Sequence, residues 1–154
     1  MSGYFQVRKK VHWSDTDAAG VVWFPNFLGW FEDAEEELYA SILGRSRQSV
    51  LDAHGFGMPR VEVSVKYRSP ARAGQVVRVG LRSTLEHARR LRHDFEVRDD
   101  GDARLLAEGF VRVASIDLAA FMPRDLPPEI ADMVDAQPAA IARQAAGDAE
   151  LPWT

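Results

Sequence analysis

Apolar positions along the chain follow two different periods. At the start they alternate: Phe5, Val7, Lys9, Val11 and Trp13 share one side, and Tyr4, Gln6, Arg8, Lys10 and His12 the other, which predicts a strand. A polar, small-residue stretch follows, Ser14-Asp15-Thr16-Asp17-Ala18-Ala19-Gly20, and reads as a loop. The spacing then changes to three and four. Phe27, Phe31, Ala34, Leu38 and Ile42 form one helix face, widened by Leu28 and Trp30, while Asp33, Glu35, Glu36 and Glu37 line the opposite side. Pro25 opens this helix, where its missing N–H costs nothing, and Gly44 stops it, predicting a helix over 25–42. A shorter helix is expected over 46–53.

Beyond the helices the period returns to two. Val61, Val63, Val65 and Tyr67 share one face of the next run, and Val77, Val79, Leu81, Ser83 and Leu85 one face of the run after it. Leu91, His93, Phe95 and Val97 make a third, and Leu105, Ala107, Gly109, Val111 and Val113 a fourth. Asp99-Asp100-Gly101-Asp102 is a hairpin turn between the last two, and residues 69–74 join the first pair. One strand, a long helix, a short helix and four strands define an α+β fold with an antiparallel sheet. The long helix has too little polar surface to lie outside, so the sheet must curl around it. That arrangement is the hot-dog fold, an antiparallel sheet wrapped around a long central helix. We place it in residues 1–126. Residues 127–154 form a C-terminal extension rich in Ala, Asp and Gln, either a terminal helix or a loosely held tail.

Composition narrows the function. The 154 residues suit one domain. The net charge of −4 argues against nucleic acid as a partner. The absence of cysteine removes disulfides, thiolate catalysis and cysteine zinc sites. His12, His54, His87 and His93 have no ligand spacing, so no metal is expected. No apolar run approaches the roughly 20 residues needed to cross a bilayer, and residues 1–10 lack the apolar core of a secretory signal. A cytoplasmic enzyme or binding module, without membrane partner or cofactor, is the default expectation.

The chemistry concentrates in Asp15 to Phe27. Asp17 sits among small residues that let a ligand approach the backbone, a few positions before a helix N-terminus with its unpaired N–H groups and positive potential. An anionic base or nucleophile beside an oxyanion site is one reading; a turn or helix-cap carboxylate is the other. The segment Asp15, Asp17, Gly20, Val22, Trp23, Phe24, Pro25, Asn26 and Phe27 resembles, at matching spacing, the active-site signature of the 4-hydroxybenzoyl-CoA thioesterase family. The order of helix and strands matches too, over about residues 5–125.

The resemblance implies an acyl-CoA thioesterase in which Asp17 is the catalytic carboxylate, either nucleophile or general base. It implies that the Phe24 backbone N–H polarises the thioester carbonyl, with Trp23 and Pro25 beside it, and that Asp15 fixes the loop. The acyl-pocket positions of the family fall at Glu32 and Met58. Met58 cannot donate a hydrogen bond, so a benzoyl group without a para-hydroxyl is expected to fit at least as well as a hydroxybenzoyl group. Basic residues of the stretch Glu86 to Arg92, chiefly Arg89 and Arg90, together with Arg124, match the CoA-phosphate region. Their plainer reading is a solvated edge. Hot-dog subunits build their pocket between two copies, which implies a homodimer or a homotetramer.

Three alternatives stay open. A thioesterase for aliphatic acyl-CoA or acyl-carrier protein is disfavoured by Trp23, Phe24 and Pro25, where such relatives usually show His or Tyr. A hot-dog hydratase is disfavoured because no His lies between His12 and His54. A non-catalytic acyl-CoA-binding module is disfavoured by the presence of Asp17.

Overall fold

The computed structural model describes residues 3–154. Strand β1 (Phe5–Lys10) leads through a 3₁₀ turn (Trp13–Asp15) into helix α1 (Asn26–Leu43) and helix α2 (Arg47–His54). Then come β2 (Phe56–Gly57), β3 (Arg60–Tyr67), β4 (Val76–His87), β5 (Arg90–Asp99), β6 (Leu105–Ala114), β7 (Ile116–Asp117) and β8 (Met122–Pro123), and last α3 (Pro128–Ala146). The main sheet has five strands in the order β1-β4-β5-β6-β3, every neighbour antiparallel. β2, β7 and β8 form a separate small sheet.

The alternation predicts the inner face well. Phe5, Val7, Val77, Val79, Leu81, Leu91, Phe95, Val97, Val111 and Val113 are buried and pack on Phe27, Trp30, Phe31, Ala34 and Leu38 of α1. Phe31 stacks on Phe95 with ring centroids 4.2 Å apart. The expected helix stop also holds: Gly44 adopts φ 69°, a left-handed conformation that a Cβ would oppose. α2 begins at Ser46, whose Oγ accepts from the Ser49 N–H.

The structure departs from the sequence pattern in several places. β1 ends at Lys10, and Trp13, expected on the inner side, is 84% exposed in the 3₁₀ turn. Leu106 rather than Leu105 is buried, because a register shift in the β5–β6 pairing lies between Val97 and Arg98. Glu35, expected on the polar side of α1, is 1% exposed. Its phase explains this, since it follows Phe31 by four residues and precedes Leu38 by three. The pair β3 and β4, joined by residues 69–74, are not neighbours in the sheet.

The C-terminal extension is ordered. α3 packs on α1, β1 and β4 through buried Ile130, Met133 and Ala140. Gln137 spends its whole side-chain amide on the backbone of Ser83, donating to the carbonyl and accepting from the N–H, both at 2.9 Å. Pro152 and Thr154 bond the backbone of Arg8 alongside β1.

Candidate active site

Asp17 occupies the tip of a tight loop closed by backbone bonds. Its N–H donates to Val21, and its carbonyl accepts from Gly20. Gly20 takes φ 77°, which lets the chain reverse. The Asp17 carboxylate receives one hydrogen bond, from the Ala19 N–H to Oδ1 at 2.8 Å, and Oδ2 receives none from the described residues. Asp15 stabilises the loop from beneath: its Oδ2 accepts from the His12 N–H at 2.8 Å, and its carbonyl accepts from Asn26 Nδ2 at 2.8 Å. The loop-fixing role expected of Asp15 is therefore visible in its contacts.

Asp17 shares a cleft of about 380 Å³ with Val21, Val22, Phe24, Phe27 and Tyr67. The cleft lies at the entry to α1, which has Pro25 at its N-cap and no side-chain cap. The N–H groups of Val22, Trp23 and Asn26 are all committed to backbone carbonyls, whereas the Phe24 N–H donates to no acceptor among the described residues. The Tyr67 hydroxyl donates to the Phe24 carbonyl at 2.8 Å, holding the peptide unit that follows the one carrying this N–H. Trp23 and Phe24 are 51% and 61% exposed, so neither is a core side chain in the single chain.

The remaining expected site residues lie elsewhere. One end of the sheet, where Lys10 faces Val76 and Tyr67 faces Ala107, carries the Asp17 cleft. Arg60, Val113, Leu91 and Leu85 mark the opposite end. Arg89 and Arg90 sit at that far end, in the β4–β5 hairpin, where Arg89 pairs with Asp125 at 2.9 Å. Arg124 is there too, donating to the His54 carbonyl at 2.7 Å. Glu32 and Met58 line a second cleft of about 230 Å³ with Leu51, Arg47 and Arg60. One chain therefore does not bring Asp17 together with Glu32, Met58, Arg89, Arg90 or Arg124.

This second cleft sets charged side chains beside the Met58 thioether, which was expected to suit an unsubstituted ring. Arg47 Nη1 donates to Glu32 Oε2 at 2.8 Å, and Arg60 Nε donates to Glu32 Oε1 at 3.0 Å. Behind them lies the buried Glu35, whose Oε2 is 2.5 Å from Arg60 Nη2 and 3.2 Å from Arg47 Nη1. Its Oε1 is 3.3 Å from His93 Nε2, close enough for charge attraction though poorly aligned for a hydrogen bond. His93 Nδ1 in turn meets Ser83 Oγ at 2.7 Å. Burial alone would raise the Glu35 carboxyl, but His93, Arg60 and Arg47 outweigh it and hold the group at about 2. Sequence reasoning missed this cluster because Glu35 reads as part of the polar side of α1 and nothing local singles out Arg60. The heptad phase of Glu35 was the available signal.

Comparison with known proteins agrees with the fold. Residues 11–137 match the family model of the thioesterase-like superfamily. A 1,4-dihydroxy-2-naphthoyl-CoA hydrolase from Synechocystis is 34% identical over 105 residues, covering 68% of this chain and 75% of that protein. The crystal structure of a 1,4-dihydroxy-2-naphthoyl-CoA thioesterase from Synechocystis superposes with a TM-score of 0.80 at 30% identity, over 86% of this chain and 96% of that one. The acyl-CoA thioesterase YbgC of Haemophilus influenzae is 28% identical over 127 residues, 82% of this chain and 90% of that protein.

The hot-dog architecture and the family match together define a thioester hydrolase, an acyl-CoA thioesterase by class. The chain belongs to the thioesterase-like superfamily. That is a broader family than the 4-hydroxybenzoyl-CoA enzymes which the motif resembles.

Proposed function

We propose that the protein hydrolyses an aromatic acyl-CoA to the free acid and CoA, with Asp17 as the reacting carboxylate. The observation that carries this reading is the meeting of Asp17 with the uncommitted Phe24 N–H on one apolar cleft. Asp17 Oδ2 is free to act. As a nucleophile it attacks the thioester carbonyl carbon, expels CoA thiolate and leaves a mixed anhydride, which water cleaves to acid and regenerated carboxylate. As a general base it takes the proton of the attacking water. In both routes negative charge develops on the carbonyl oxygen, and the Phe24 N–H at the start of α1 stabilises it.

The aromatic preference draws on Phe24, Phe27 and Tyr67, which line the cleft and whose rings meet edge to face. The similarity in sequence and in structure to Synechocystis protein named for a naphthoyl-CoA substrate supports it.

The active unit in this reading is at least a homodimer. β3 is an edge strand that leaves Val61 and Val63 half exposed, an apolar edge of the kind that invites pairing. Antiparallel pairing of β3 with the same strand of a second copy sets the far end of one sheet against the near end of the other. Glu32, Met58, Arg89, Arg90 and Arg124 of one copy then approach Asp17 of its partner. A CoA-phosphate role for Arg89, Arg90 and Arg124 belongs to this dimeric site.

The test is a thiol-release assay with benzoyl-, 4-hydroxybenzoyl- and 1,4-dihydroxy-2-naphthoyl-CoA against a series of aliphatic acyl-CoAs. The reading expects the aryl thioesters to be cleaved with the higher kcat/KM. Preference for the aliphatic series would contradict it.

A further inference from the structure

Past the end of β6 the chain makes a turn that holds apolar side chains out in water. Asp117 Oδ1 accepts from the Ala120 N–H at 2.7 Å and the Asp117 carbonyl accepts from the Phe121 N–H at 2.8 Å, so the turn between β7 and β8 is closed twice. Phe121 sits there at φ 54°, a left-handed conformation that Gly or Asn takes far more readily than a bulky residue. It is a phenylalanine all the same, and 74% exposed. Leu118 and Met122 beside it are exposed by half or more. The turn is also anchored from below. The Leu118 N–H donates to the Gly55 carbonyl at 3.1 Å, and its side chain lies over Gly57, where a Cβ would meet Leu118 Cδ2 at 2.8 Å. A well-fixed turn that bears backbone strain and bares three apolar groups is built to be covered.

Its position says what covers it. β6 runs from the Asp17 end of the sheet, where Ala107 faces Tyr67, to the opposite end, where Val113 faces Arg60, and the turn extends beyond that end. Exposed apolar side chains continue from there along the β3 edge: Val61, the extra residue of a β-bulge between Arg60 and Glu62, then Val63 and Tyr67. The row finishes at Phe24, bonded to the Tyr67 hydroxyl, and at Trp23, whose ring centroid is 6.1 Å from that of Phe24. A two-fold axis through the middle of β3 lays this row antiparallel on its own copy. Bared apolar end then meets bared apolar end: the turn of one chain reaches the Trp23–Phe24 pair of the other.

We propose that the β7–β8 turn is a cover supplied in trans: Phe121, flanked by Leu118 and Met122, packs on Trp23 and Phe24 of a second copy and shields the mouth of that copy's Asp17 cleft from water. Excluding water there strengthens the attraction between the Phe24 N–H and the charge that develops on the carbonyl oxygen. Phe121 acts through Trp23 and Phe24, as a positioning residue. The inference rests on the Asp17 reading and the β3-paired dimer above, and it names the segment of the second copy that closes the site.

The test combines two defects in one dimer. Phe121→Gly removes the ring and relieves the left-handed backbone, so the turn keeps its shape; Phe121→Asn, also at ease at positive φ, is a second version. Each alone is expected to lower kcat by about fivefold, on the acyl-CoA cleaved best in the thiol-release series, while light scattering shows the dimer. Phe121→Gly and Asp17→Asn chains carrying different affinity tags are then produced together, and the mixed dimer is isolated through both tags. One of its sites joins an intact Asp17 to an intact Phe121 from the other chain, and the second site lacks both. A cover in trans predicts about half of the wild-type turnover per dimer. A turn acting within its own chain would leave the intact Asp17 without its ring, giving about a tenth of wild type. That result, or wild-type kcat in the two Phe121 variants, overturns the proposal and leaves the Asp17 reading standing. Wild-type turnover in the Asp17→Asn homodimer overturns both.

Discussion

The Tyr67 hydroxyl donates a 2.8 Å hydrogen bond to the backbone carbonyl of Phe24, joining the end of β3 to the entry of α1 beside Asp17. Its ring also meets Phe27 edge to face at 5.4 Å and Phe24 at 6.2 Å. The edge strand that we assign to subunit pairing thus also holds the peptide unit adjoining the one assigned to oxyanion stabilisation. Tyr67→Phe keeps the rings and removes the bond. It should cost about 1 kcal/mol of stability and lower kcat/KM by about fivefold, chiefly through kcat. Steady-state kinetics beside a thermal melt checks both. An unchanged kcat would mean that the Phe24 peptide needs no such support.

The same edge strand tests the composite site. Val63 is 46% exposed on β3 and lies near the centre of the proposed β3–β3 pairing. Val63→Asp would set two carboxylates close together across the two-fold axis, which disfavours association. Light scattering should then show a monomer, and most turnover should disappear with the dimer although Asp17 and Phe24 are untouched. Full activity in a demonstrated monomer would contradict the shared site.

Glu35 links stability to pH. Its carboxyl is held at about 2 in the folded chain, below the 4.5 of an unperturbed glutamate. A depressed carboxyl contributes stability that is present above the unfolded value and lost as pH falls through the folded one. Wild-type stability should therefore decline between about pH 4.5 and 2 with a share due to this group. Glu35→Gln removes that share and flattens the decline. At neutral pH the same substitution should cost about 3 kcal/mol, because it breaks a buried ion-pair cluster. Urea titrations at several pH values measure both effects.

How far the sequence could be read follows from what each signal depends on. Alternation in Val77 to Leu85 and in Leu91 to Val97 reports burial on one side of a strand, and those residues do form the inner face. Gly44 ends α1 where its spacing implied, since only the local backbone is at stake. The loop that carries Asp17 and the start of α1 after Phe24 were legible because loop and helix entry are contiguous in sequence. The Arg60–Glu35–His93 cluster was not, because it joins three elements through a bulge that no local pattern announces. Charged residues read as solvated unless their partners are known. The order of α3 was equally hidden. Its weak amphipathic pattern says little, whereas Gln137 reaching the Ser83 backbone settles its place.

The most direct test of the account is the turnover of Asp17→Asn against the aryl-CoA that the wild type cleaves best, with a melting curve to establish that the variant is folded. The account predicts a fall in kcat of at least about a hundredfold, the scale of a lost catalytic carboxylate, with the melting temperature little changed. A folded Asp17→Asn protein that retains wild-type turnover would contradict it and return Asp17 to the role of a turn residue.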